Sequence, residues 1–291
     1  MMQLLSLALL VAAACGGKEP PASATVEEVA QERKPQVELR QAGQATARQP
    51  VQFVVTARFD SGEPMTLDPI GEELMHVVAV RKDLSWLAHA HPKATSEGTY
   101  AFELTFPQEG VYAVFAVLVP SGRERQTVRS EVVVGRNGET THAQLAASPH
   151  EKRFGAYDVK LATEPEHPFA GAWTTLQFHL SRGGTPVTNL RAHAESGHLI
   201  ILDASAEHFV YAHSTDGEAL RGVRAKAHLP AAPPALRPHQ HESDEQGPDV
   251  QFHALFPAPG RYKVWAEFAP GDEHVTADFV IDVAQSKGGM Q

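Results

Sequence analysis

Histidine is the residue type that stands out. The chain holds 16 of them among 291 residues, and the informative ones fall in two matching segments. The first reads Met75-His76-Val77-Val78-Ala79-Val80-Arg81, then a polar turn Lys82-Asp83-Leu84-Ser85, then Trp86-Leu87-Ala88-His89-Ala90-His91-Pro92. Two apolar stretches about a polar turn predict a β-hairpin. A register symmetric about Asp83 and Leu84 sets His76 opposite His91. Strand alternation then puts His76, Val78 and Val80 on one face, with Leu87, His89 and His91 across from them. His89 and His91 are two apart, so their rings project the same way, about 6 to 7 Å apart along the strand. Three imidazoles converge at one end of a hairpin face.

The second segment repeats this geometry. His198 opposes His213, and Tyr211 stands where the first copy has His89. His253, in Val250-Gln251-Phe252-His253-Ala254-Leu255-Phe256, corresponds to Glu103 of the first copy. If that strand neighbours the hairpin, each half gains a further ligand. The candidate metal ligands are therefore His76, His89, His91 and Glu103 in one half, and His198, His213 and His253, with Tyr211, in the other. Imidazole with carboxylate suits Cu(II) or Zn(II). The only methionines nearby are Met65 and Met75, and there is no thiol for a dedicated Cu(I) site. The same opposed pairs also admit a purely structural role, bonded to one another or to backbone. His239 and His241 beside Glu242-Ser243-Asp244-Glu245 read as a solvated acidic loop. His193 and His208 lie near the second cluster.

These side chains need elements to hold them, and the elements are themselves repeated. Gly62-Glu63-Pro64-Met65-Thr66 matches Gly184-Thr185-Pro186-Val187-Thr188, and His76-Val77-Val78 matches His198-Leu199-Ile200 at the same offset. Later, Phe106-Pro107-Gln108-Glu109-Gly110-Val111-Tyr112 matches Phe256-Pro257-Ala258-Pro259-Gly260-Arg261-Tyr262. The offset has by then grown by about 28 residues of Pro-, Ala- and His-rich sequence, which reads as a long loop. Within each copy the segments are short, β-branched and divided by turn residues, as in 51–59, 75–80, 100–106, 111–119 and 127–134. The second copy offers 158–161, 176–180, 198–202, 250–256, 262–268 and 275–283. About seven strands per 100 to 130 residues predict an immunoglobulin-like sandwich. Gly110 and Gly260 suit tight turns, Tyr112 and Tyr262 suit a hydroxyl bonded to backbone, and Phe115 and Trp265 suit a core. The expected class is all-β: two tandem immunoglobulin-like β-sandwich domains, 36–136 and 156–286. A linker spans 137–155, and an insertion at 216–248 lies in the second domain.

The net charge of −10 argues against nucleic acid as a partner. No Gly-x-Ser-x-Gly elbow, phosphate-binding glycine loop or His-Glu-x-x-His occurs, so an enzyme is not expected. The first residues run through Leu4-Leu5-Ser6-Leu7-Ala8-Leu9-Leu10-Val11-Ala12-Ala13-Ala14 to Cys15, the sole cysteine. That apolar run is too short for a membrane span and has the length of a signal h-region. It resembles a bacterial lipoprotein signal (1–15) in which Cys15 is lipidated. It departs in lacking Lys or Arg before the run and in having Ala12 where Leu is usual. An ordinary secretory signal is the alternative. Residues 16–35 read as a flexible tether.

The His76…His89-Ala90-His91-Pro92 and His198…His213 segments, each followed by Phe-Pro-x-x-Gly-x-Tyr-x-Val, resemble bacterial envelope β-sandwich domains of the YtkA-like kind. They resemble especially the tandem forms in exported lipoproteins. The resemblance implies an envelope location, a membrane held through the lipid anchor, and copper or other metal handling, with an envelope protein as a further partner. Tyr211-Ala212-His213-Ser214 departs from the His-x-His-Pro form. The expectation is an anchored protein that buffers or hands on copper or zinc. The alternative is an interaction scaffold with structural histidines.

Overall fold

The computed structural model describes residues 33–136, 143–191, 197–213 and 245–286. Cys15 and its signal, nearly all of the tether, most of the 216–248 insertion, His193, His239 and His241 lie outside the described residues. The chain divides into Met1–Lys34 and Pro35–Gln291, and all that follows concerns the second unit.

Among the described residues every regular element is a strand. The first repeat comprises β1 (Pro35–Ala42), β2 (Pro50–Phe59), β3 (Leu67–Asp68), β4 (Met75–Arg81), β5 (Leu87–Ala90), β6 (Lys93–Ser96), β7 (Thr99–Thr105), β8 (Gly110–Pro120) and β9 (Gln126–Val134). The second comprises β10 (Glu151–Phe154), β11 (Tyr157–Glu164), β12 (Trp173–Arg182), β13 (Thr185–Pro186), β14 (Leu190–Arg191), β15 (His198–Asp203), β16 (Phe209–His213), β17 (Glu245–Gln246), β18 (Asp249–Leu255), β19 (Gly260–Phe268) and β20 (Val275–Val283). β10 falls within the stretch read from sequence as linker.

Each repeat is a sandwich of two antiparallel sheets. In the first, β1-β2-β7-β6 faces a sheet in which β5, β4, β8 and β9 pair in turn. In the second, β11, β12 and β18 pair in turn and face β16-β15-β19-β20. The shared Gly-x-Tyr motif works alike in both. Gly110 and Gly260 sit at φ 138° and 145°, a region that disfavours any Cβ. The Tyr112 hydroxyl donates to the Gln108 carbonyl and that of Tyr262 to the Ala258 carbonyl, each at 2.9 Å.

The central strands are apolar on both faces, and this decides how the halves meet. On β4, Met75, Val77 and Ala79 enter the first core while Val78 and Val80 point the other way. On β15, Leu199 and Ile201 enter the second core while Ile200 and Leu202 turn outward. The outward sets, with Phe115 of β8 and Trp265 of β19, form a third apolar cluster drawn from both repeats. The two sandwiches are thus packed back to back. A strand with no polar face has to be covered on both sides.

Candidate functional site

His76 and His198 occupy the ends of this central layer. Alternation puts His76 on the face of Val78 and Val80, and His198 on the face of Ile200 and Leu202. Each is only 1% exposed. The β4–β5 register pairs Val77 with Ala90 and Val78 with His89, which carries His76 opposite His91. The polar turn fixes it. Asp83 bonds Arg81 and takes the Ser85 amide at 3.0 Å, and Leu84 adopts φ 58°.

Four imidazoles meet there. His76, His89 and His91 come from the first sandwich and His198 from the second, with one ligand nitrogen from each lying within 4.8 Å of all the others. Ring centroids of the equivalent residues His76 and His198 are 5.1 Å apart. Two cross contacts join equivalent positions of the repeats: His76 against Tyr211 at 5.2 Å, and His198 against His89 at 4.6 Å. The expectation of a separate site in each half is corrected to one site shared by both.

The hydrogen bonds show which nitrogens face inward. A carbonyl only accepts, so Nε2–H of His76 donates to the Ile70 oxygen at 3.0 Å and Nδ1 keeps its lone pair. Nδ1–H of His89 donates to the Glu267 carboxylate at 2.7 Å, which points its Nε2 at His76 Nδ1, 3.1 Å away. Nitrogens about 2.0 to 2.1 Å from a tetrahedral ion stand about 3.3 Å apart, so this spacing already suits a shared ion. His198 turns Nδ1 toward the same Glu267 oxygen at 3.6 Å. His91 sets Nδ1 3.8 Å from Glu73, while its Nε2 is buried without a hydrogen-bond partner.

The electrostatics keep the most buried rings unprotonated. Burial drives the His76 pKa down to about 2, the bond to Ile70 opposing this and the neighbouring imidazoles adding to it. Burial likewise lowers His91 to about 4, with His89 adding and Glu73 opposing. Burial alone would raise Glu267, but bonds from His198 and His89 outweigh it and hold its pKa at about 2. At neutral pH the cluster therefore combines unprotonated rings on His76 and His91 with one ionised carboxylate behind two of the ligands.

Other sequence candidates lie elsewhere. Glu103 is on β7, which pairs with β2 and β6 in the outer sheet, and Gln52 donates to it. His253 is on β18, paired with β12 in the other outer sheet, and contacts the Thr175 hydroxyl at 3.2 Å. Neither strand is hydrogen-bonded to a histidine hairpin, and neither residue joins the cluster. The reason is the sandwich itself, which separates these strands from β4 and β15 by a full core. His213 pairs with His198 in register, but its side chain is outside the described part. His208 contacts Asp203 at 3.3 Å, and Met75 points into the first core. Glu267 was missed. A single carboxylate in Val264-Trp265-Ala266-Glu267-Phe268, directly opposite His198, was the available signal.

Comparison with known proteins assigns the family. The model described as Domain of unknown function (DUF8832) matches residues 29–135 and 152–285. The chain belongs to this family. No curated protein matches this DUF8832 chain. Among solved structures, 86% of it aligns with 16% of trypsin-activated alpha-2-macroglobulin from Escherichia coli, at 10% identity and TM-score 0.26. A further 86% alignment takes in 50% of a tetra-tandem repeat from the extending region of a large adhesion protein, at 10% identity and TM-score 0.28. A protein from Corynebacterium diphtheriae described as membrane anchored aligns over 85% of this chain and 57% of its own, at 9% identity and TM-score 0.25. The DUF8832 chain thus spans between 16% and 57% of these neighbours' lengths.

Proposed function

We propose that this protein binds one divalent transition-metal ion, copper(II) before zinc(II), between its two sandwiches. His76, His89, His91 and His198 are the ligands. The observation that carries this is the convergence of four imidazoles from two repeats, with a buried His91 Nε2 that has no hydrogen-bond partner. A buried polar atom left unpaired is costly, and an ion would satisfy it. An all-imidazole set without thiolate or thioether suits copper(II) and zinc(II).

The reading includes an anchored, non-enzymatic protein of the bacterial envelope that buffers or hands on the ion. The signal-like run ending at Cys15 and the YtkA-like resemblance of the histidine segments support it. Titration of the purified protein with Cu(II) and Zn(II) against a chromophoric chelator tests it. One equivalent is expected to bind, and His76→Ala with His91→Ala to abolish binding. Failure of the unaltered protein to compete would overturn the proposal.

A second reading has its own observation. His76 already bonds Ile70, and His89 of the first sandwich already bonds Glu267 of the second, so the cluster can act as a polar plug joining the sandwiches of an interaction scaffold. In that case the double variant would lose stability while the unaltered protein takes up no ion.

A further inference from the structure

The cluster opens into a cleft. His76 forms the cluster's floor, bonded to the Ile70 carbonyl, on β4, which like β15 is buried on both faces. His89, His91, His198 and Glu267 line this cleft of about 360 Å³, which opens to solvent. A further imidazole lines the same cleft. His274 precedes β20, in the exposed part of the β19–β20 turn, with Thr276 beside it. It is not one of the four residues whose ligand atoms lie within 4.8 Å of each other. It therefore lines the same cleft without belonging to the set that would enclose the ion.

We infer that this cleft is the ion's route in and out, and that His274 is a relay ligand, binding an incoming ion first and releasing a departing one last. The inference rests on the cation reading above and adds the route and the handing-on step. A desolvated four-nitrogen site exchanges slowly if the ion must shed its waters with nothing to replace them. A rim imidazole can replace one of them before the inner ligands engage, and can receive the ion as they let go. A relay ligand of this kind changes both rates and leaves the equilibrium nearly alone, whereas an inner ligand changes affinity.

Stopped-flow mixing of the purified protein with Cu(II), and of the loaded protein with excess chelator, tests this. In the unaltered protein the loading rate should level off as Cu(II) rises, because capture at the rim precedes transfer inward. In His274→Asn, loading and removal should both slow by about five-fold or more, with stoichiometry unchanged and the dissociation constant within about two-fold. A loading rate that stays linear in Cu(II), or variant rates equal to the original, would sink the relay. So would faster removal with weakened affinity, which would make His274 an inner ligand. If the unaltered protein binds no ion at equilibrium, it is the cation reading that fails, and the two failures are thereby distinguished.

Discussion

The two sandwiches use the same strands for unequal work. β5-β4-β8-β9 and β16-β15-β19-β20 are equivalent sheets that meet through equivalent faces. At the end of that interface the first repeat supplies His76, His89 and His91. The second supplies His198, the carboxylate of Glu267 that orients ligands from both halves, and Tyr211 in the place of His89. Of the two matching hairpins, one supplies three of the clustered imidazoles and the other supplies the fourth. The packing faces of the two repeats match while their polar residues at this end differ.

The largest expected effect concerns what the halves share. Phe115 of the first stacks on Phe209 of the second with centroids 4.2 Å apart and planes at 7°. Phe115→Ala should destabilise the protein by about 3–5 kcal/mol, as for large core truncations. Urea unfolding monitored by tryptophan fluorescence reads this. A loss under about 1 kcal/mol would mean that the two sandwiches do not depend on one another for stability.

Next comes the inequality between the halves. Glu267→Gln keeps the shape but removes the charge behind His89 and His198. Loss of such an outer partner typically weakens metal affinity about 10–100-fold. Competition against a chelator measures it, and an affinity unchanged within two-fold would show that the second sandwich does not steer the ligands. Smaller still should be the effect of Tyr211→His, which restores the missing imidazole beside His76. Added nitrogen hyperfine structure in the Cu(II) spectrum and several-fold tighter binding are expected. An unaltered spectrum would place residue 211 outside the ion's reach.

Much of this was legible in the sequence, for physical reasons that differ between elements. The strands were readable because β-branched runs end at turn residues, and the hairpin register was readable because a short polar turn admits one symmetric pairing. Glu103 and His253 were misjudged because repeat alignment reveals equivalent strands but not which sheet they join. The joint site was hidden for another reason. Met75-His76-Val77-Val78-Ala79-Val80 lacks any polar alternation, which signals burial on both faces, yet a run of this kind does not say what covers the second face. Here the cover is the other repeat, and that contact between distant segments turns two suspected clusters into one.

The smallest effect separates the halves at equivalent strand positions outside the histidine cluster. Arg129 pairs across from Phe115 and Asp278 across from Trp265, so the two residues correspond. Arg129 reaches over to Glu207 of the second sandwich at 3.1 Å, while Asp278 holds Lys152 of β10 at 2.8 Å and Lys263 at 3.1 Å. Burial would raise the Asp278 pKa, but the lysines outweigh it and hold it below the ordinary carboxylate value. A depressed carboxyl pKa stabilises the fold at pH above its unfolded value, near 3.8, and that contribution is lost as pH falls through the lower folded value. Asp278→Asn should therefore lower the urea midpoint modestly at pH 7, with the gap to the unaltered protein closing as the pH drops below about 4. Arg129→Gln removes no carboxylate of its own, and frees Glu207 where it is largely solvated, so it should change the midpoint less at every pH. Should the Asp278→Asn gap persist undiminished at pH 3, the lysines are not holding an ionised carboxylate, and the spacer strand docks on the second sandwich by shape and backbone alone.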